Sequence, residues 1–306
     1  MNKVFVIGLS GNSYFLESDH LPKKGETIIT SSFSEEVGGK GYNQAVILNS
    51  LGTDVFFLSS IGNDEGGEKC ISDLRKRGIN FDLIKKDDKT AFAYILKDKY
   101  GENIVTEYPG ASLKLKVNDI IDYKERIEAS DILSLQFEVP FSANLEAISI
   151  AKEKGVKIII NPAPYNSEYA SLLQFADIIT PNEGEAREIF NLDEDEDLEL
   201  IASKMDELKI KEVIVTIGKN GALHFKDGII TKYETIKITP VDTTGAGDAF
   251  NAMLCYCLSN NYDIEKAIIY SNVCASLSTL YKGAINYKAN IKEIEAILET
   301  LEENDD

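Results

Sequence analysis

Residues 242–250 read DTTGAGDAF. A Gly-Ala-Gly step followed by an apolar run predicts a loop that opens a helix. The start of a helix carries unpaired N–H groups and a partial positive charge, so it suits an anion such as phosphate. The backbone N–H groups of Gly245, Ala246 and Gly247 would stabilise the charge on the equatorial oxygens of a phosphoryl group in transfer. Glycine lets a ligand approach the main chain closely. Yet a carboxylate, Asp248, stands at the same place. It is either a base that faces an acceptor hydroxyl or a helix-cap carboxylate without a chemical role.

A second stretch, VGGKGYNQA (37–45), sets glycines and a lysine at a helix start. Lys40 is a positive tether, and Asn43 can both donate to and accept from a polyol. An exposed lysine on a glycine-rich turn gives the same pattern, so this stretch alone does not decide. Other chemistries lack their residues. The nearest approach to a P-loop, GNDEGGEK (62–69), has Glu68 where lysine belongs. Neither a strand-linked G-x-G-x-x-G nor a G-x-S-x-G occurs, which leaves a dinucleotide site and a serine esterase unsupported. The four cysteines form no CxxC pair, and only His20 and His224 accompany them. That pattern reads as buried, reduced thiols rather than a zinc cluster.

The elements that must position these residues alternate along the chain. Strands are predicted at 4–8, 54–62, 131–138, 156–164, 178–183 and 212–218. Helices are predicted at 40–52, 65–78, 117–129 and 141–155, with three more starting near 246, 263 and 291. Strands such as IIIN and VIVT are apolar on every residue, as a parallel sheet covered on both faces requires. The expected fold is α/β: a doubly wound, mostly parallel sheet flanked by helices, in one domain over residues 1–306. Two segments break the rhythm, 10–36 and 88–110, the latter a hairpin around a Gly-Glu-Asn turn. Together they would form a small β-sheet lid over a ligand. Such a sheet offers an edge to a second copy of the chain, so a homodimer through the lid is compatible with the pattern.

The chain has 306 residues, is 43% hydrophobic and carries a net charge of −19. That charge argues against nucleic-acid and anionic-membrane partners, which require basic surface. Any phosphate must therefore be held by local features. No stretch approaches the roughly 20 apolar residues that span a bilayer. The apolar run at 4–8 is too short for a signal-peptide core, so the expected location is cytoplasmic.

The two glycine motifs, taken with QFEVP (136–140), NPAP (161–164), ITPNEGE (179–185), VTIGKNG (215–221) and the late YKGA (281–284), resemble the ribokinase-like (PfkB) carbohydrate kinases along the whole chain. The resemblance implies an ATP-dependent phosphotransferase acting on a primary hydroxyl of a sugar or sugar-like substrate. Mg²⁺ is then a cofactor and K⁺ an optional addition. Asp248 matches the family's catalytic base and Gly245–Ala246–Gly247 its anion hole. Gly39, Lys40, Asn43 and Glu138 match sugar contacts. Asn182 and Glu185 match the nucleotide and magnesium region, with the metal reached through water. Thr216, Gly218 and Gly221 match a nucleotide-binding turn, and Asn272 a residue beside the adenine. Asp242, Thr244, Ser278, Tyr281 and Gly283 match a monovalent-cation site. The same resemblance leaves room for a nucleoside kinase and for a ligand-binding relative without activity. The intact base and anion hole oppose the second.

Two departures bear on the acceptor. Where the pattern carries an Asn and an Asp after the first strand, this chain has Gly11 and Ser13. A serine cannot act as a charged, bidentate acceptor. Tyr42 stands where a small residue is usual, bringing a ring that could stack on a base. Both argue for an acceptor other than plain ribose. In the late loop, Tyr287 replaces the family's serine, which weakens the case for K⁺.

Overall fold

The structure, a computed structural model, describes residues 2–100 and 102–305. The chain runs β1 (Lys3–Ile7), β2 (Gly11–Ser18), β3 (Ser32–Gly38), α1 (Lys40–Ser50), β4 (Asp54–Gly62), α2 (Glu65–Arg77), β5 (Asn80–Lys86), β6 (Ala91–Asp98) and β7 (Asn103–Tyr108). Then come α3 (Val117–Ile121), α4 (Lys124–Glu128), β8 (Ile132–Gln136), α5 (Phe141–Lys154), β9 (Lys157–Asn161), β10 (Ile178–Ile179), α6 (Glu183–Phe190) and α7 (Ile201–Leu208). The last elements are β11 (Glu212–Thr216), β12 (Ala222–Lys226), β13 (Ile229–Tyr233), α8 (Ala246–Ser259), α9 (Ile264–Ser278) and α10 (Ile291–Asp305).

Nine strands form one sheet in the order β13-β12-β11-β10-β9-β8-β1-β4-β5. It is parallel from β11 to β5, and β12 and β13 add an antiparallel edge. Adjacent residues of β1 serve opposite cores. Val4 and Val6 pack with Phe57 and Phe250, whereas Phe5 and Ile7 pack with Leu58 and Leu133. Covering both faces is why these strands show no polar alternation.

Four further strands form a separate sheet in the order β3-β2-β6-β7. One cross-strand row links Glu36, Ser13, Ala93 and Glu107. β3 ends at Gly38, so the small sheet feeds almost directly into α1.

Two local readings change. The helix expected over 117–129 is two short helices, α3 and α4. The break lets Tyr123 leave helical geometry and pack its ring on Phe56 and Phe5, with its hydroxyl on Asp82. β5 and the β12–β13 hairpin carry no strong apolar pattern in the sequence because they lie at the sheet's edges; in β5 only Leu83 is buried.

The feature that places the site is a close backbone crossing. A Cβ built on Gly41 would lie 2.6 Å from Gly8 Cα, and one on Gly8 would lie 2.7 Å from Gly41 Cα. Only glycines at both positions let α1 rest directly on the end of β1. Gly39 precedes the helix at φ 115°, and a side chain there would strike the Leu9 carbonyl.

Gly41→Ala should therefore destabilise the protein by roughly 1–3 kcal/mol, the usual cost of overpacking a tight contact. Urea denaturation checks this, and an unchanged midpoint would show that the crossing has slack.

Candidate active site

Asp248 lies in the first turn of α8, whose N-terminus carries no side-chain cap. Its carboxylate does not turn back on its own helix. It reaches across to α1, where Asn43 Nδ2 donates to Oδ2 at 2.7 Å and Gln44 Nε2 lies 3.5 Å from Oδ1. Gln44 Oε1 in turn accepts from Ser134 Oγ and Gln136 Nε2, both at 2.9 Å. A buried polar network thus runs from β8 through α1 to α8 and fixes the carboxylate in a helix-to-helix seam. Gln44, Ser134 and Gln136 were not singled out in the sequence, because nothing in their spacing shows that they meet.

Burial pushes Asp248 above the ordinary aspartate range, against the Lys40 charge and the Asn43 and Gln44 bonds. A carboxylate in this state is a stronger base than a solvated one. The other half of its pairing, Asn43 Oδ1, is buried and has no donor among the described residues.

Gly245 enters the helix at φ 79° and packs on Ala284, where a Cβ would come within 2.6 Å. Gly247 is different: a Cβ there would meet no atom within 4 Å. Packing does not demand glycine at 247, and the space beside its main chain is open.

Glu138 stands opposite. Its Oε2 accepts from the Lys40 backbone N–H at 2.8 Å, closing the uncapped start of α1, and Oε1 lies 3.5 Å from Lys40 Nζ. Burial raises Glu138 to about 7, and the Lys40 ammonium works against that rise. Burial also opposes the charge on Lys40, but Glu138 and Asp248 outweigh it and hold the lysine protonated.

These groups share one cavity of about 260 Å³, at the small end for ligand sites. Gly11, Ser13, Gly39, Lys40, Asn43, Glu138, Thr244, Gly245 and Asp248 all line it. So do residues the sequence did not mark: Asn12, Glu36, Lys97 and Glu107, carried by the small sheet. Glu36, Lys97 and Glu107 face inward through strand register, and one residue of slip would turn each outward, whereas Asn12, next to Ser13 on β2, turns its amide toward Gly66 of α2.

The remaining expected positions lie outside that cavity. Asn182 and Glu185 form a reciprocal cap at the start of α6, each side chain accepting the other's backbone N–H at 2.9 Å. Burial raises the Glu185 carboxyl above its ordinary range, against the Asn182 N–H bond and the Lys40 charge. Thr216 bridges to Asn182, and Gly218 and Gly221 form the left-handed turn after β11. Asn272 spends its amide on the Tyr233 and Glu234 carbonyls, holding the chain after β13. Ser278 bonds the Ala275 carbonyl within α9, Tyr281 packs its ring at a tilt against Tyr287, and Gly283 donates to Asp242.

Tyr42 is a correction. It does not face the cavity. The side chain is fully buried, edge-on to Phe57, with its hydroxyl on Asp73 of α2. Side chains on a helix project a fixed way around it, and at this position that is into the core. It offers no stacking face to an acceptor.

The model of the pfkB family of carbohydrate kinases matches residues 1–291. The chain belongs to this family. As a pfkB kinase it is similar to the bifunctional ribokinase/ribose-5-phosphate isomerase A of Fructilactobacillus sanfranciscensis, at 33% identity over 99% of this chain and 57% of that protein. The ribokinase of Lactococcus lactis is 31% identical over 99% of both chains. The structure of Arabidopsis thaliana ribokinase complexed with ribose and ATP superimposes with a TM-score of 0.86, at 27% identity over 97% of this chain and 98% of that one. The large sheet, its helices and the small separate sheet are those of the ribokinase fold.

Glu138→Ala would leave the Lys40 ammonium and the start of α1 without an acceptor. The expected loss is about 2–3 kcal/mol, less than for a fully buried pair because the Lys40 side chain stays a third exposed. Glu138→Gln keeps an acceptor oxygen and should lose less. Denaturation of both variants at neutral pH decides; equal losses would contradict the assigned bonds.

Proposed function

We propose that this pfkB kinase transfers the γ-phosphoryl group of ATP to a primary hydroxyl of a sugar-like acceptor, as a phosphotransferase of the alcohol-acceptor class. The observation that carries the reading is the direction of Asp248. Its carboxylate lies at the open start of α8 yet bonds Asn43 of a different helix, on the wall of a monosaccharide-sized cavity. In this arrangement Asp248 takes the proton of the acceptor hydroxyl. The N–H groups of Gly245, Ala246 and Gly247 face the transferring phosphoryl oxygens, and Lys40, Asn43 and Glu138 hold the acceptor. The small sheet closes the cavity and limits loss of ATP to water.

The residues present suit Mg²⁺. That ion is commonly held by one or two carboxylates together with phosphates and water, and Glu185 keeps one carboxylate oxygen outside its cap. When bound with the nucleotide it would neutralise phosphate charge. Asn182, Thr216, Gly218, Gly221 and Asn272 border the nucleotide in this reading. A cytoplasmic setting supplies the ATP, and a second copy would pair through the outer face of the lid, where Phe33 and Tyr94 are exposed.

For the acceptor, the ribokinase relatives favour a monosaccharide, and buried Tyr42 removes the support for a nucleoside. Ser13 sits between Glu36 and Glu107 in one row of the lid. Two carboxylates flank the place where the family pattern has one. We therefore propose a sugar other than plain ribose. A panel of pentoses, hexoses and amino sugars checks this; ribose as the best substrate by a wide margin would overturn it.

Asp248→Asn should cut turnover by about 10²–10⁴ while ATP binding and melting temperature stay near the parent values. Near-normal turnover would remove the base assignment. The base works only when ionised, so activity falls as pH drops through its folded pKa. Because burial raises that pKa, the acid limb of kcat/KM should lie above the roughly 3.9 of a free aspartate.

A further inference from the structure

The position matched to a monovalent-cation site already holds a positive charge. Lys97, near the end of lid strand β6, places its Nζ 3.2 Å from Asp242 Oδ1 and 3.1 Å from Oδ2. The same carboxylate takes three more hydrogen bonds. Thr244 donates to Oδ1 through its backbone N–H at 3.1 Å and its hydroxyl at 2.7 Å, and the Gly283 N–H donates to Oδ2 at 3.1 Å. An ionised carboxylate offers about four lone-pair sites, so Asp242 has none left for a metal ion. Both side chains are mostly buried, which strengthens the pair relative to a solvated one. K⁺ therefore does not fit the Asp242 site as it stands.

We propose that Lys97 is the resident cation of this site. Its ammonium supplies the charge that a monovalent ion would otherwise bring, and it latches the lid to the turn that opens α8. The chain of contact is short. Lys97 belongs to the sheet that covers the cavity. Asp242 holds the Thr244 N–H, and Gly245, the next residue, begins the proposed anion hole. Asp242 also holds Gly283, whose neighbour Ala284 packs against Gly245. One ammonium thus joins the lid, the late loop and the helix start.

Other charged groups near the pair do not replace it. Glu36 faces Gly283 and is occupied by Asn286 Nδ2 at 3.0 Å. Lys282 is largely exposed and lies nearer Glu17, at 3.9 Å. Lys97 also sits 5.5 Å from the Phe15 ring centroid, which holds its stem on the inner face of the lid.

The test compares the parent protein with Lys97→Ala and Lys97→Gln, in about 0.1 M potassium chloride and in tetramethylammonium chloride of equal ionic strength. Two readouts are taken: sugar-dependent ATP consumption and thermal melting. The parent should show the same turnover and melting temperature in both salts. The variants should lose at least about tenfold in turnover without K⁺, a small part of what losing a direct oxyanion donor costs. K⁺ should restore part of that turnover and raise the variants' melting temperature. A parent enzyme whose turnover and melting both depend on K⁺ would overturn the proposal. So would variants that match the parent in both salts. The turnover arm rests on the kinase reading, but the melting arm does not. If no sugar is phosphorylated, the kinase reading fails, and the melting data still decide whether Lys97 stands in for the ion.

Discussion

The structure turns on the burial of one carboxylate between two helices. Asp248 is nearly inaccessible, and burying an ionised group without partners costs far more than a protein can spare. Asn43 and Gln44 answer that cost directly, Lys40 answers it through space, and Ser134 and Gln136 hold Gln44 in turn. All of them depend on α1 lying hard against the end of β1, which the facing glycines at 8 and 41 permit. The site is therefore a property of a crossing, and the loop residues around it inherit their positions from that contact.

The proposed pairing of an acid with an anion site at one helix start rests on the helix dipole. The start of α8 has no side-chain cap; the Ala246 N–H reaches only the Thr243 carbonyl, at a long 3.3 Å. Asp248 could have capped them and does not, since its oxygens are engaged across the seam. At α6 the opposite choice was made: Asn182 and Glu185 close their own helix start reciprocally. The same residue chemistry thus serves a structural end at one helix and leaves the other available.

What the sequence made legible were features with local causes. Gly39, Gly41 and Gly245 mark backbone positions that no other residue fits, and apolar strands mark a sheet covered twice. The acidic and basic residues of the small sheet were not legible, because Glu36, Lys97 and Glu107 face inward only through the register of β3, β6 and β7. Tyr42 was misleading for a related reason. It lies within a site motif, yet its direction around α1 sends it to Phe57 and Asp73. Asp242 stood in a motif, but its partner Lys97 lies 145 residues away, and only the folded chain brings the small sheet and the late loop together.

The central claim is one of direction: Asp248 faces the acceptor while the turn before it faces the phosphoryl group. A crystal structure with the best acceptor, ADP, Mg²⁺ and a planar aluminium fluoride tests it directly. The account predicts the acceptor hydroxyl within about 2.6–3.2 Å of an Asp248 oxygen, and the fluorides on the N–H groups of Gly245–Gly247. An Asp248 carboxylate turned away from the acceptor, or fluorides held elsewhere, would contradict it.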